Sequence, residues 1–461
     1  MRVVHAIYLA TSASQIDLNR AFASAQMAFS LGWHILLASF GVGFPVLLLY
    51  AEWQGHRKKD ATYLLLAKRW AKAVGVMFAV GAVSGTILSF ELGILWPGLM
   101  AKYGAIFGFP FTLEGFAFFI EAIFLGIYLY GWSRLSYRAH ILSGIPIALA
   151  GTASAFFVVA ANAWMNDPTG FRLVAGKPTD LKPWAGVFNP ATPTETTHMI
   201  VAAFMITGFG VASVYAYAIL RGKDDRYHQL GLKIGLGLGA ILAPIQGIVG
   251  DLSARYVAAR QPVKLAAMEA LFKTARHVPE TLGGFVLNGK LLYAIRIPDG
   301  LSLLTHFSAN AQIIGLDSVP AAQRPPVNPV HLAFDAMTGI GFLLFFIALW
   351  LGYSLLRTRS VPSSKLFLWL VIASGPLAGI ATETGWMATE VGRQPWIVYH
   401  VMTVYQAVNP APGLWLGLPI LIVLYSVLTV VLIFILRRVA RTPLPVGEIT
   451  LEEVDRMDVL K

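Results

Sequence analysis

The chain has 461 residues, of which 56% are hydrophobic and 13% charged, with a formal net charge of +11 and no cysteine. So low a charged fraction excludes an ordinary soluble domain and points to a polytopic membrane protein. The missing cysteine excludes disulfides, thiolate metal sites and Cys-ligated clusters, but leaves haem or metal held by His, Met or carboxylate open.

Residues 1–17 are mildly apolar and end in small polar residues. They read as a short tail before the first span, with a signal peptide as the weaker alternative. Apolar runs of bilayer-crossing length then recur at 22–50, 63–90, 111–132, 139–162, 195–220, 230–250, 330–356, 366–389 and 414–436. The predicted fold is therefore all-α, about nine transmembrane helices in bundles. Basic clusters follow the odd spans: Arg57, Lys58 and Lys59; Arg134 and Arg138; Arg221, Lys223 and Arg226; Arg357, Arg359 and Lys365; Arg437, Arg438 and Arg441. The positive-inside rule places these ends in the cytoplasm and the N-terminus outside. It also accounts for the net positive charge, so no nucleic-acid partner is expected. Residues 1–250 would hold spans one to six, 251–329 a long outer loop, 330–440 spans seven to nine, and 441–461 a cytoplasmic tail. A loop of that length is usually functional or disordered.

Several polar residues fall at membrane depth, where their cost asks for a partner, a cavity or a cofactor. His34 lies well inside the first span; it is either a packed histidine or a ligand. Glu114 and Glu121 share one helix face at i, i+7, suiting a proton relay or a pair of interhelical hydrogen bonds. Ser154 and Asn162, with Asn166 and Asp167 beyond, extend a polar track on the fourth span. His198 opens the fifth span and Met337 lies one to two turns into the seventh, both from the outer side. Met is core filler by default, but a His/Met pair at one depth is a known way to hold a six-coordinate haem. Glu383 lies near the outer end of the eighth span. Glu390, Arg393 and two tryptophans follow within a few turns.

G-R-Q-P-W at 392–396 follows E-T-G-W at 383–386. Around them stand A-F-x-x-M ending at Met337, E-G-F-A-F-F-I-E at 114–121, G-W-x-R-L at 131–135, A-N-x-W-M at 161–165, G-D-x-S at 250–253 and K-L-A-A-M-E at 264–269. In this order they resemble subunit I of cytochrome bd-type quinol oxidases over nearly the whole chain. The resemblance implies a terminal oxidase of the bacterial cytoplasmic (inner) membrane, with haem and no copper. Quinol would be oxidised at the outer loop, and oxygen reduced to water with cytoplasmic protons, building a proton-motive force without a pump. His198 and Met337 would ligate a low-spin haem b. His34 and Glu383 would each ligate one of two high-spin haems, one b-type and one haem d. Lys264 and Glu269 match the quinol-loop pair, with Asp251 and Ser253 in the same loop. Glu114, Glu121, Ser154 and Asn162 match the proton route and oxygen-site surroundings, and Arg393 would meet haem propionates. The implied partners are ubiquinol or menaquinol, oxygen, membrane lipids, a second large subunit and a small single-span one.

The sequence departs from the family at four points. Asp335 stands where an arginine is usual two residues before the ligating Met, and Ser24 where an arginine is usual before the first-span His. Ala122 replaces a serine after the second glutamate. The outer loop is of the shorter type, which fits a branch carrying b haem in place of d and resisting cyanide. A secondary transporter using Glu114, Glu121 and Glu383 as coupling-ion sites, or a haem electron carrier that does not reduce oxygen, are the rival readings.

Overall fold

The computed structural model describes residues 2–442, with side chains from Gln15 onward. Nine long helices dominate: α1 Arg2–Lys58, α2 Ala61–Leu95, α3 Pro97–Gly131, α4 Tyr137–Asn166, α5 Thr192–Leu220, α6 Arg226–Arg260, α7 Val327–Thr358, α8 Lys365–Val391 and α9 Gly417–Arg441. All nine are long and apolar enough to cross a membrane. They match the nine expected spans, and most run further. The tail expected before the first span is helical and continuous with α1. The third span starts at Pro97, well before the expected residue 111, because Lys102 and Pro110 are both accommodated inside the helix. The expected tail from 441 lies, beyond Thr442, outside the described residues.

Local chemistry fixes where these helices begin. α2, α4, α6 and α8 start on side-chain caps: Asp60, Ser136, Asp225 and Ser364 each accept a first-turn backbone N–H. α3 and α5 instead carry proline in the first turn, where no intrahelical donor is lost. Helices α1–α4 form one bundle and α5–α8 a second; α1 and α4 pack on α5 to join them, and α9 lies on α1 and α2. α5 and α6 cross closely through Gly208, Gly235 and Gly239; a Cβ at Gly208 would come within 2.5 Å of the Gly239 nitrogen.

The connections on the side opposite the basic clusters are folded. After α4 come a hairpin (Arg172–Val174 with Lys177–Thr179) and a turn of helix, Pro183–Val187. The long segment between α6 and α7 begins ten residues later than expected, because α6 runs on to Arg260. It contains a short helix, Pro262–Met268, nested strand pairs (Glu280–Leu282 with Ile295–Ile297, Phe285–Leu287 with Lys290–Leu292) and a helix at Gly300–His306. After α8, the G-R-Q-P-W stretch turns through a cis Gln394–Pro395 bond into a hairpin, Trp396–Val398 with Met402–Thr403. The strands are short and peripheral, so the fold remains all-helical.

Candidate functional site

The two bundles hold different side chains. In the α5–α8 bundle, His198 stands on α5 against Gly250 of α6, where a Cβ would lie 3.7 Å from its ring carbon. Its Nδ1 is buried with no hydrogen-bond partner among the described residues. Met337 of α7 faces Gly385 of α8, and a Cβ there would sit 2.8 Å from the sulfur. Glu383 lies half-buried on α8 and abuts α1: a Cβ at Gly32 would fall 2.9 Å from its Oε2, and its Oε1 has no partner among the described residues. His34 faces away from Glu383, toward α2. Its Nδ1 lies 2.7 Å from Ser84 Oγ, which itself donates to the Gly81 carbonyl. Ser84 therefore accepts from Nδ1–H, which leaves the Nε2 lone pair free. His34 and Glu383 thus serve opposite sides of α1.

Where the C-termini of α4 and α8 meet the N-terminus of α5 lies a buried polar cluster centred on Asn166, the last residue of α4. Its Oδ1 accepts from Lys264 Nζ at 2.9 Å and Arg393 Nη1 at 3.1 Å. Its amide donates to Glu195 Oε1 at 2.9 Å and Asn162 Oδ1 at 3.3 Å. Arg393 also pairs with Glu390, which accepts from the Asn162 amide. Arg393 Nε is buried without a partner among the described residues. Lys264 is fully enclosed; burial, offset in part by Glu195, pulls its ammonium down to about 7. A narrow cleft beside it is lined by Lys264, Arg393, Tyr399 and His400. Burial pushes the Tyr399 hydroxyl up to about 12 and lowers His400.

Glu269 does not pair with Lys264, although only four residues lie between them. It accepts from Thr281 Oγ1 at 3.1 Å and sits near Glu280 and Asp335. Burial, reinforced by Glu280, raises its carboxyl to about 8; burial and Asp335 raise Glu280 to about 7. Asp335 accepts from Gly283 N–H and lies 3.3 Å from His331 Nε2. Asp251 and Ser253, expected in the loop, stand on the last turns of α6. A helix end rich in Asp, Ser and Arg resembles a loop in composition. Asp251 forms a two-pronged pair with Arg255 at 2.8 and 3.0 Å, and Ser253 Oγ bonds back to Val249.

In the α1–α4 bundle, Ser154 donates to Glu114 at 3.0 Å. Glu121 lies against Gly151 of α4, where a Cβ would be 3.4 Å from both carboxylate oxygens. Asn162 belongs with Glu390 and not with this pair. Sequence reasoning missed a second buried group on the same helices: Glu52, Tyr128 and His140. Its signal was available, since Tyr128 continues the Glu114, Glu121 series by another seven residues. Glu91, buried on α2 near Ser30 and Tyr425, was also passed over.

A family model described as cytochrome bd terminal oxidase subunit I matches residues 22–444. The chain belongs to that family. It is 34% identical over 416 residues (88% of this chain, 93% of the relative) to the putative cytochrome bd menaquinol oxidase subunit I of Bacillus subtilis. It is 29% identical over 433 residues (90% and 92%) to that organism's cytochrome bd ubiquinol oxidase subunit 1. The bd oxidase from Geobacillus thermodenitrificans has the same fold, with a TM-score of 0.87 at 38% identity, covering 92% of this chain and 99% of that one. The protein is thus a multi-span subunit of a bacterial terminal oxidase, and family membership implies haem cofactors. The residues present fit such groups: buried His198 Nδ1 and Glu383 Oε1 have no partner among the described residues, and glycines stand beside His34, His198, Met337 and Glu383.

Proposed function

We propose that this chain is the haem-bearing subunit of a quinol:oxygen oxidoreductase that takes electrons from quinol on the outer side and protons for water from the cytoplasm. The observation that carries this reading is the set of four candidate ligands on three faces. His198 and Met337 stand in the outer half of the α5–α8 bundle, Glu383 between α8 and α1, and His34 between α1 and α2. His198 and Met337 would hold a low-spin haem b; His34 and Glu383 would each hold one high-spin haem, b or d, or b in both. When bound, these groups supply electron transfer and, where one axial position stays open, oxygen binding and reduction.

The chain's own residues do the rest. Glu269, beside Glu280, is placed to accept a proton from the quinol hydroxyl, and Asp251 with Arg255 braces the helix end beneath the loop. The Lys264–Asn166–Arg393 cluster fixes the ends of α4 and α8 around the site, and Arg393, whose Nε is buried without a partner among the described residues, would meet a haem propionate. Glu114, held by Ser154, and Glu121 carry protons inward from the basic, cytoplasmic end. Charge is separated because quinol protons leave outside and water protons enter from inside. The N-terminus and quinol loop lie outside and the C-terminus inside. A second large subunit and a small single-span subunit complete the enzyme in the lipid bilayer.

The test is the purified complex. An oxidised and a dithionite-reduced absorbance spectrum, with quinol-driven oxygen consumption, should show b haems and turnover. A red band beyond the b region marks haem d, and b bands alone mark the all-b type. No Soret band would end the reading and return the acids to a transporter.

A further inference from the structure

Glu52 of α1 is 1% exposed. Its Oε2 accepts from the Tyr128 hydroxyl of α3 at 2.5 Å, and its Oε1 lies 2.8 Å from His140 Nδ1 of α4. His140 Nε2 reaches the Tyr128 carbonyl at 2.9 Å, and its ring lies 4.4 Å from that of Trp132. Lys68 of α2 is a buried cation beside the cluster, its Nζ 5.3 Å from the Trp132 ring. A carboxylate this fully buried is expensive without compensation, and apolar contacts alone suffice to join three helices.

Position along α3 separates this cluster from a simple brace. Glu114, Glu121 and Tyr128 recur every seven residues, so they share one face with rungs about 10 Å apart. α4 answers each rung: Ser154 donates to Glu114, Gly151 faces Glu121, and Gly144 faces Tyr128, where a Cβ would come 3.1 Å from the ring. One turn nearer the basic end, the His56 ring packs 3.9 Å from that of exposed Tyr137. The order from the basic end is therefore His56, then His140 with Glu52 and Tyr128, then Glu121, then Glu114.

We propose that Glu52, Tyr128 and His140 form the cytoplasmic proton-loading station that refills Glu121. A proton from cytoplasmic water binds the Glu52 carboxylate, which His140 orients. The Tyr128 hydroxyl accepts that proton at its oxygen and releases its own hydrogen, through water, toward Glu121. One proton moves and no charge stays on the phenol. The inference rests on Glu121 being in the proton route.

In the assembled oxidase, E52Q keeps the shape of the side chain and removes its proton affinity. Oxygen consumption per haem should fall at least about tenfold, with the haem spectrum unchanged, and a permeant weak acid such as acetate should restore part of it. Y128F keeps the ring, should show a smaller loss with the same rescue, and carries the test if E52Q does not assemble. Turnover per haem within twofold of wild type, or a loss that weak acid does not relieve, overturns the proposal. E121A, measured alongside, separates the two levels: full turnover there removes the route itself, whereas slow E121A with normal E52Q removes only the loading station.

Discussion

Where α4 and α8 end and α5 begins, buried acids sit among cations: Glu390 pairs with Arg393, and Glu195 shares Asn166 with Lys264. Along α1, α3 and α4 the acids hydrogen-bond to neutral or titratable groups instead, although buried Lys68 stands beside the Glu52 group. Glu114 has a serine hydroxyl, Glu121 a glycine face, and Glu52 a phenol and an imidazole. An acid tied to a buried cation cannot be neutralised without stranding that cation, at a cost of about 3–5 kcal/mol. It holds shape and charge. An acid held by hydroxyl, amide or imidazole can gain and lose a proton while its partners stay satisfied. On the proposed reading, the cation-rich cluster stays fixed around electron entry and the acid series along α3 moves protons.

The largest expected effect strikes the inner series. Glu121→Ala should slow oxygen reduction about a hundredfold, the lower range for a lost proton-transfer group, with haem content nearly intact. Loss of all haem would make Glu121 structural and erase the contrast. In the proposed quinol site, Glu269 would take a quinol proton only when ionised. With its carboxyl raised to about 8, quinol oxidation should rise with pH through that value. Glu269→Gln should lower the rate about tenfold and flatten this limb; an unchanged pH profile would remove Glu269 from the reaction. The smallest effect is a tuning one. Asp335→Arg should raise the potential of the low-spin haem by on the order of tens of millivolts, by replacing a negative charge near Met337 with a positive one. His331 already lies 3.3 Å from Asp335 and moderates that charge. A potential equal to or below wild type would contradict it.

Much of this was legible in the sequence. Nine runs of bilayer length stand out because composition and length are the signal themselves. His198, Met337 and Glu383 were marked by being polar or soft at the wrong depth and by the motifs around them. The Glu52–Tyr128–His140 group escaped because its members come from three spans, with Glu52 and His140 88 positions apart. Glu52 also borders Arg57–Lys59, where an acid reads as part of a charged rim. Asn166 looked like the tail of a polar track, and only packing shows it as the hub for Lys264, Arg393 and Glu195. Asp251 was read into the loop because the last turns of α6 have loop-like composition.

The central claim is that the outer half of the α5–α8 bundle carries electrons through a haem held by His198 and Met337. The reduced-minus-oxidised absorbance spectrum of the assembled His198→Ala oxidase tests it most directly. The account predicts loss of the low-spin b band with the high-spin features retained; a spectrum identical to wild type would contradict it.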